Sequence, residues 1–114
     1  MRLAVIVNPN GSTERVDLDA PEGALAVMQK AVGGLIECVR LNSEVEFYCN
    51  EEGLYTFTEA DFNPYASILM QEVYGQGYIL GPVIFTAGVD DEGDTRGMLP
   101  AMADMIALGA SPVN

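Results

Sequence analysis

The chain has 114 residues, with 17 acidic and 5 basic side chains, no histidine and a formal net charge of −12. This charge excludes binding to nucleic acid through its phosphates, and the lack of histidine excludes any mechanism that uses imidazole as a base or a metal ligand. Apolar residues make up 49% of the chain, more than a disordered acidic segment carries. The sequence therefore predicts one folded domain over residues 1–110, with a frayed C-terminus at 111–114.

The first elements along the chain are two predicted strands. Residues 3–7 form a continuous apolar run that ends at a cluster of turn-forming residues, 8–12, which is typical of a buried strand. Residues 15–19 alternate between polar and apolar side chains, so they predict a partner strand with Val16 and Leu18 facing the core.

A helix is predicted next. Pro21 is placed in its first turn, where the missing N–H of proline has no hydrogen bond to lose. Apolar side chains then repeat at helical spacing from Ala24 to Val32, and Gly33 and Gly34 supply a left-handed stop.

A second hairpin is predicted over residues 35–49, and it separates the two cysteines. Its register places Cys49 on the same face as Phe47, and Cys38 on the opposite face with Arg40. The two sulfurs cannot pair across a sheet, and free thiols are typical of a reducing compartment. No apolar run is long enough for a secretory leader or a membrane span, so we expect a soluble, cytoplasmic protein that does not associate with a membrane.

These elements predict the fold class. The first half runs strand–strand–helix–strand–strand, and two antiparallel hairpins around one helix are typical of an α+β layer such as the β-grasp. We expect an α+β fold with a mixed, mainly antiparallel sheet and two or three helices.

The second half begins with a predicted strand at residues 54–58. Asn63 followed by Pro64 is a strong helix start, because asparagine caps the first free N–H groups and proline fits the first helical position. This helix is predicted to end at Gly75.

Residues 78–80 and 83–87 predict one bent strand or two, interrupted by Gly81-Pro82. The proline favours an edge position or a bulge. An exposed edge strand at 83–87 would pair with a second copy of the chain, which makes a homodimer one candidate assembly. A last helix is predicted to start near Pro100.

The acidic loop at residues 90–94 is the strongest candidate for a metal site, because hard cations prefer carboxylate oxygens. Its candidate ligands are Asp90, Asp91, Glu92 and Asp94. The loop fails as an EF-hand, since Thr95 and Ala101 occupy the positions that require glycine and glutamate. We interpret it as a solvated turn and predict no metal and no cofactor. No side chain has an evident activating partner, so we also predict that the protein is not an enzyme.

The negative charge has two interpretations. It keeps a domain soluble, or it presents a field that competes with DNA for a basic groove on a partner protein. A DNA mimic of this kind would need its acids on one face. The residues predicted to contact a partner protein are Glu46, Asn50, Glu51, Glu52, Asp90, Asp91 and Asp94.

Two further features bear on partners. Met98, Met102 and Met105 are expected on one face of the last helix, as part of the core or as an adaptable partner-binding groove. Arg40 and Arg96 would bind an anionic ligand such as a nucleotide if the fold brought them into one pocket.

Three segments, in their order and spacing, resemble one known family over residues 1–108. The segments are Val32-Gly33-Gly34-Leu35-Ile36-Glu37, Cys49-Asn50-Glu51-Glu52-Gly53-Leu54 with Asn63 and Ala66-Ser67 after it, and Gly81-Pro82-Val83-Ile84-Phe85 with Asp90-Asp91-Glu92-Gly93-Asp94 and Gly97. The set is similar to the family called domain of unknown function 3846, small proteins common in bacterial phages and mobile elements, including actinobacterial phages.

The resemblance implies an accessory phage protein that acts in the host cytoplasm. It also implies that Asn50, Glu51, Gly53, Asn63 and the turn at 91–94 belong to one surface. We therefore expect a non-enzymatic protein that binds a host protein and modulates or inhibits it, with DNA mimicry as one variant. The alternative is a module that binds and sequesters a nucleotide or another small molecule.

Overall fold

The computed structural model describes residues 1–111, and within them it contains five strands and four α-helices. The strands are β1 (Leu3–Val7), β2 (Thr13–Asp17), β3 (Ile36–Arg40), β4 (Glu46–Asn50) and β5 (Val83–Thr86). The helices are α1 (Ala24–Val32), α2 (Gly53–Thr56), α3 (Pro64–Tyr74) and α4 (Pro100–Ala110), with a 3-10 helix at Glu59–Asp61. Of the predicted frayed end, residues 112–114 lie outside the described residues.

The strands form a single sheet in the order β2-β1-β5-β4-β3, and every neighbouring pair is antiparallel. The predicted α+β class is confirmed, as is the order strand–strand–helix–strand–strand in the first half. The sheet is antiparallel throughout rather than mixed, because β5 runs opposite to both β1 and β4.

The central position of β5 differs from the prediction. All four of its residues are buried, so the expectation of an exposed edge strand at 83–87 is wrong, and it gives no support to a homodimer. Pro82 precedes the paired residues, where its missing N–H removes no bond from the ladder. The edges of the sheet are β2 and β3.

Helices cover both faces of the sheet. Successive side chains of a strand point to opposite faces, so β1 contributes Ile6 to a core beneath α1 and Val5 to a core beneath α3 and α4. The core on the α1 side consists of Ala4, Ile6, Leu18, Met28, Val32 and Ile84. The sheet is thus the middle layer of three, with its central strands β1, β5 and β4 largely buried and exposed side chains on the edge strands β2 and β3.

The boundaries of α1 are set by glycines. The helix ends at Gly33, whose left-handed conformation lets its N–H bind the carbonyl of Gln29. It begins after Gly23, so the prediction that placed Pro21 in the first turn is wrong, and the proline belongs to the preceding turn.

The hairpin of β3 and β4 has the predicted register. Cys38 pairs with Tyr48, and Glu37 pairs with Cys49, which places the two cysteines on opposite faces of the sheet. Both are free thiols, and Cys49 belongs to the core beneath α3 and α4.

Residues 54–58 form no strand, and that prediction is wrong. The chain instead makes the short helix α2 and then the 3-10 helix, whose start is closed by reciprocal hydrogen bonds between Thr58 and Asp61. Phe57 is the residue of this segment that packs inward, since its ring lies against Gly81 and Gly33. Leu54 and Tyr55 remain exposed, so the apolar residues at the start of this segment do not form a buried strand face.

The two long helices of the second half begin where predicted. Asn63 caps α3 by accepting a hydrogen bond from the N–H of Ala66, and Gly75 ends the helix in a left-handed conformation. Pro100 occupies the first turn of α4. No helix within residues 1–111 is both long enough and apolar enough to cross a membrane.

Candidate interaction surface

A groove with a volume of about 580 Å³ separates α3 from α4 on the side of the sheet opposite to α1. One wall consists of Leu69, Glu72 and Val73 from α3, and the other includes Met102 and Met105 from α4. The turn between β3 and β4 closes one side with Leu41, Asn42 and Val45. We call this cavity the α3–α4 groove.

The floor of the α3–α4 groove is aromatic. The ring of Phe85 on β5 lies 5.7 Å from that of Tyr65 on α3, measured between centroids, and 5.3 Å from that of Phe47 on β4. Tilted pairs at these distances stabilise a core by about 0.5–1.5 kcal/mol each beyond their buried area. The floor is therefore part of the packed interior.

A glycine lets α3 and α4 approach each other closely at one end of the groove. A Cβ atom on Gly109 would lie 2.9 Å from Cε1 of Tyr65, so the absence of a side chain lets the ring approach α4 this closely. The contact joins the start of α3 to the end of α4. The groove opens beyond it, towards Val73 at the end of α3 and Leu99 before the start of α4.

Large apolar side chains on both walls are exposed. Met105 is 73% exposed, Leu99 is 71% exposed and Val73 is 47% exposed. The three predicted methionines do not share one environment, since Met98 is buried and Met102 is half-buried. The buried face of α4 is made by Ala103, Ile106 and Ala110 instead. The spacing of three between Met102 and Met105 was the one sequence signal for this wall, but the opposite wall on α3 had none.

The charge at the α3–α4 groove is negative. Among residues 1–111, Glu72 is the only charged residue that lines it. None of the five basic residues does so, and three of them are in ion pairs elsewhere, namely Arg2, Arg15 and Arg40. Lys30 lies on α1, which covers the opposite face of the sheet.

Glu46 is not on the surface, although it was predicted to contact a partner. Its side chain is 1% exposed on the α1 side of β4. The carboxylate accepts hydrogen bonds from the Tyr48 hydroxyl at 2.9 Å and from the Cys38 thiol at 3.3 Å. Nε of Arg40 lies 3.7 Å from the same carboxylate. Glu46 therefore has a structural role. Its assignment to an interaction surface is wrong, because its side chain is buried on the face of the sheet that α1 covers.

The Cys38 thiol and the Tyr48 hydroxyl, which both donate hydrogen bonds to Glu46, have raised pKa values. Burial, followed by the hydrogen bond to Glu46 and its charge, raises the pKa of Cys38 from 9.0 to about 11. The same causes in the same order raise the pKa of Tyr48. Burial also raises the pKa of Cys49 to about 11, with a contribution from the charge of Glu37. At neutral pH both cysteines are protonated thiols, which are poor nucleophiles.

Asn50 fastens the end of β4 to α1. Its side-chain amide donates to the carbonyl of Val32 at 3.1 Å, and its side-chain oxygen accepts from the N–H of Glu52 at 2.8 Å. Asn50 itself is buried, so it is a structural residue and not part of an exposed contact surface. Glu51 and Glu52 are exposed on the turn that follows.

Asn63 connects three separate segments of the chain. Its side-chain amide donates to the carbonyl of Val7 at 3.1 Å and to that of Gly81 at 3.0 Å, while its oxygen accepts from the N–H of Ala66 at 3.3 Å. The side chain is fully buried. It joins the end of β1, the approach to β5 and the start of α3.

The acidic loop is a turn closed by its own hydrogen bonds. The side-chain oxygen of Asp90 accepts from the N–H groups of Glu92 and Asp94 at 2.9 and 3.0 Å. Asp91 is exposed at its tip. In the part of the chain that the structure covers, no three cysteine, aspartate or glutamate side chains come together as metal ligands.

The residues that the resemblance assigned to one surface lie at opposite ends of the sheet. Thr86 pairs with Glu46 and leads towards the acidic turn, whereas Asn63 binds Gly81 at the start of β5. A strand of this length separates its ends by about 13 Å, at roughly 3.3 Å per residue. Asn63 is buried besides, so the expectation of a single surface that includes it and the turn at 91–94 is wrong.

The two arginines proposed for a ligand do not line any of the four cavities that the structure shows most clearly. Arg40 contacts Glu46 from the edge strand β3. Arg96 is exposed and is held by main-chain hydrogen bonds to Ala87 and Gly88.

Comparison with known proteins places the chain in a family. No curated protein and no solved structure matches it. The family model described as Domain of unknown function (DUF3846) matches residues 1–108, which is essentially the whole chain. The chain therefore belongs to the DUF3846 family.

Proposed function

We propose that this chain is a non-enzymatic phage accessory protein that acts in the host cytoplasm, where it binds a host protein and modulates or inhibits it. The observation that carries the proposal is the α3–α4 groove, whose helical walls expose large apolar side chains above an aromatic floor. Apolar patches of this kind mark interaction sites more often than chance exposure.

The composition of the groove supports a protein partner. Met102 and Met105 are unbranched, so they adapt their shape to an incoming surface with little strain. The protonated thiols are consistent with a protein that acts by contact, since a thiol with a raised pKa is a poor nucleophile at neutral pH.

The exposed acidic residues have a secondary role in the proposed function. Glu51 and Glu52 lie at the end of the sheet opposite to the turn at 90–94, so the acids are divided between two ends rather than aligned on one face. This arrangement favours the groove over DNA mimicry as the main contact. The net charge of −12 would instead speed the encounter with a basic partner.

Affinity capture from host lysate with matched variants tests the proposal. The purified protein, a Val73→Asp/Met105→Asp variant and a Leu25→Asp variant are immobilised, and the retained proteins are identified by mass spectrometry at physiological salt. Leu25 is an exposed leucine on α1, across the sheet from the groove, so its variant controls for a new charge on an apolar surface position.

We expect a specific protein that the wild type and the Leu25 variant retain and the groove variant loses. The activity of the captured protein is then measured with and without this chain, which shows whether binding modulates that activity. Equal retention by all three proteins would reject the groove as the contact, and the lack of any specific protein would reject the proposal.

The alternative, a small-molecule module, has one observation in its favour. The groove volume of about 580 Å³ lies within the range of about 300–1,000 Å³ that ligand pockets occupy. Its lining contains Glu72 and no basic residue, which disfavours a nucleotide and favours an apolar compound. A thermal-shift screen with nucleotides and apolar compounds separates this alternative from the main proposal.

A further inference from the structure

We infer that the α3–α4 groove receives an amphipathic helical segment of the partner, with basic residues beside its apolar face. This inference rests on the proposed function and deepens it, because it names the chemistry of the contact. Three properties of the groove carry it: the nature of its walls, the arrangement of its apolar side chains and its charge.

The two long walls favour a helical occupant. Both long walls are α-helices, and the N–H and C=O groups within a helix are already bonded to each other. Beyond the free N–H groups in the first turn of α4, they offer little to the backbone of an extended peptide. A segment that enters an apolar groove must then satisfy its own backbone groups, and a helix is the conformation that does so.

The apolar side chains are arranged as an amphipathic helix would need them. Leu69 and Val73 are one turn apart on α3, about 6 Å along the axis. Met102 and Met105 face them from α4 at a spacing of about 4.5 Å. Side chains at positions i, i+3, i+4 and i+7 of an incoming helix repeat at the same intervals.

The charge favours basic flanks on that helix. Glu72 lies on the α3 wall, no basic side chain lines the groove, and the whole chain carries −12. A second copy of this chain would bring another −12 to the same place, so self-association through the groove is opposed by charge repulsion. A partner segment rich in lysine and arginine is attracted instead.

Binding of three synthetic peptides tests the inference. Each has about 18 residues, a length at which a designed sequence is helical in water. The first is an amphipathic leucine–lysine helix, the second has glutamate in place of lysine, and the third has the composition of the first in a scrambled order. All carry a fluorescent label, and binding is followed by anisotropy at several salt concentrations.

The amphipathic basic peptide is expected to bind in a 1:1 ratio, with an affinity that falls as salt rises. The acidic peptide is expected not to bind, and the scrambled peptide to bind at least about tenfold more weakly. A Val73→Ser/Met105→Ser variant is expected to lose about tenfold or more in affinity for the first peptide, because two apolar contacts are removed. A Leu25→Ser variant is the matched control and is expected to bind as the wild type does.

Equal binding of the scrambled peptide would overturn the inference, since charge alone would then explain the affinity. Retention of full affinity by the groove variant would overturn it as well. Sedimentation equilibrium provides a third check: a dimer that the groove variant abolishes would identify a second copy as the occupant. If lysate capture depends on the groove but no helical peptide is preferred, the helical inference fails and the proposed function stands. If the basic helix binds in the groove but no host protein is captured, the preference of the groove for a basic helix stands and the proposed function fails.

Discussion

The side-chain amide of Asn63 donates a hydrogen bond to the main-chain carbonyl of Gly81 at 3.0 Å, and both residues are buried. The same amide also binds the carbonyl of Val7, at the end of β1. One side chain thus fixes β1 and the start of β5 next to the helix that it caps. No apolar residue could replace it, because three main-chain groups would lose their partner.

Replacement of Asn63 is expected to be strongly destabilising. Asn63→Ala leaves two buried carbonyl groups unpaired and removes the cap of α3, so we expect a loss of about 3 kcal/mol or more in the free energy of unfolding. Asn63→Asp keeps an acceptor for the cap but faces two carbonyl oxygens with a negative charge, and it should be no better at pH 7. Urea unfolding measures both, with the exposed Asn10→Ala as the control. A loss below about 0.5 kcal/mol would contradict the assigned role.

Thr86, unlike Asn63, has a buried polar side chain without a hydrogen-bond partner among the described residues. Thr86→Val replaces the hydroxyl with a methyl group of similar size, so we expect a gain of about 1 kcal/mol in the free energy of unfolding. Thr86→Ser keeps the hydroxyl and loses the methyl group, and it should destabilise the protein. A lower stability for the valine variant would show that the hydroxyl is bonded in solution.

The reactivity of Cys38 should depend on pH and on Glu46. Because the pKa of Cys38 is raised to about 11, its alkylation by iodoacetamide should be slow at pH 8 and should accelerate between pH 9 and 11. Glu46→Gln removes the nearby negative charge, which lowers that pKa in part and should speed alkylation at pH 8. Peptide mapping distinguishes Cys38 from Cys49. Equal rates in both proteins would show that burial alone sets the pKa.

The same shifts predict loss of stability in alkaline solution. The pKa of Cys49 is raised from 9.0 to about 11 in the folded chain, so the fold favours the protonated thiol. This contribution to stability is fully present below pH 9 and is lost as pH rises through about 11. The free energy of unfolding should therefore fall between pH 9 and 11, and a Cys49→Ala variant should show a smaller decline over that range.

Gly81 is predicted to tolerate no side chain. It has a φ of +89°, and a Cβ atom there would lie 2.5 Å from the ring of Phe57. Gly81→Ala should cost about 2 kcal/mol or more, from the combined backbone strain and steric clash. Gly93 has a φ of +83° with open space around it, so Gly93→Ala reports the backbone strain alone. Equal losses in thermal unfolding would show that the Phe57 ring moves aside at little cost.

Local signals made part of this fold predictable. The start of α3 is encoded by two adjacent residues, Asn63 and Pro64, and neither needs a distant partner to act as a cap and a first helical position. The two faces of the β3–β4 hairpin follow from the alternation of its side chains, which correctly separated Cys38 from Cys49. Both inferences depend on spacing over a few residues.

The failures depend on contacts far apart in the sequence. Residues 83–87 form a short apolar run after a proline, a pattern shared by edge strands and central strands, and pairing with β1 and β4 decided between them. The burial of Glu46 follows from α1 covering the second face of the sheet, which alternation cannot indicate. The α3–α4 groove is also non-local, because it exists only where two helices diverge from the contact of Tyr65 with Gly109.

The central position of β5 has a consequence for synthesis of the chain on the ribosome. The hairpins β1–β2 and β3–β4 are translated first, but the inner edge of each, on β1 and on β4, stays open until β5 leaves the exit tunnel and inserts between them. A nascent polypeptide halted before Val83 would thus present the edges of β1 and β4, which the finished sheet conceals, in addition to the outer edges of β2 and β3. Emergence of Thr86 is the event that ends this exposure.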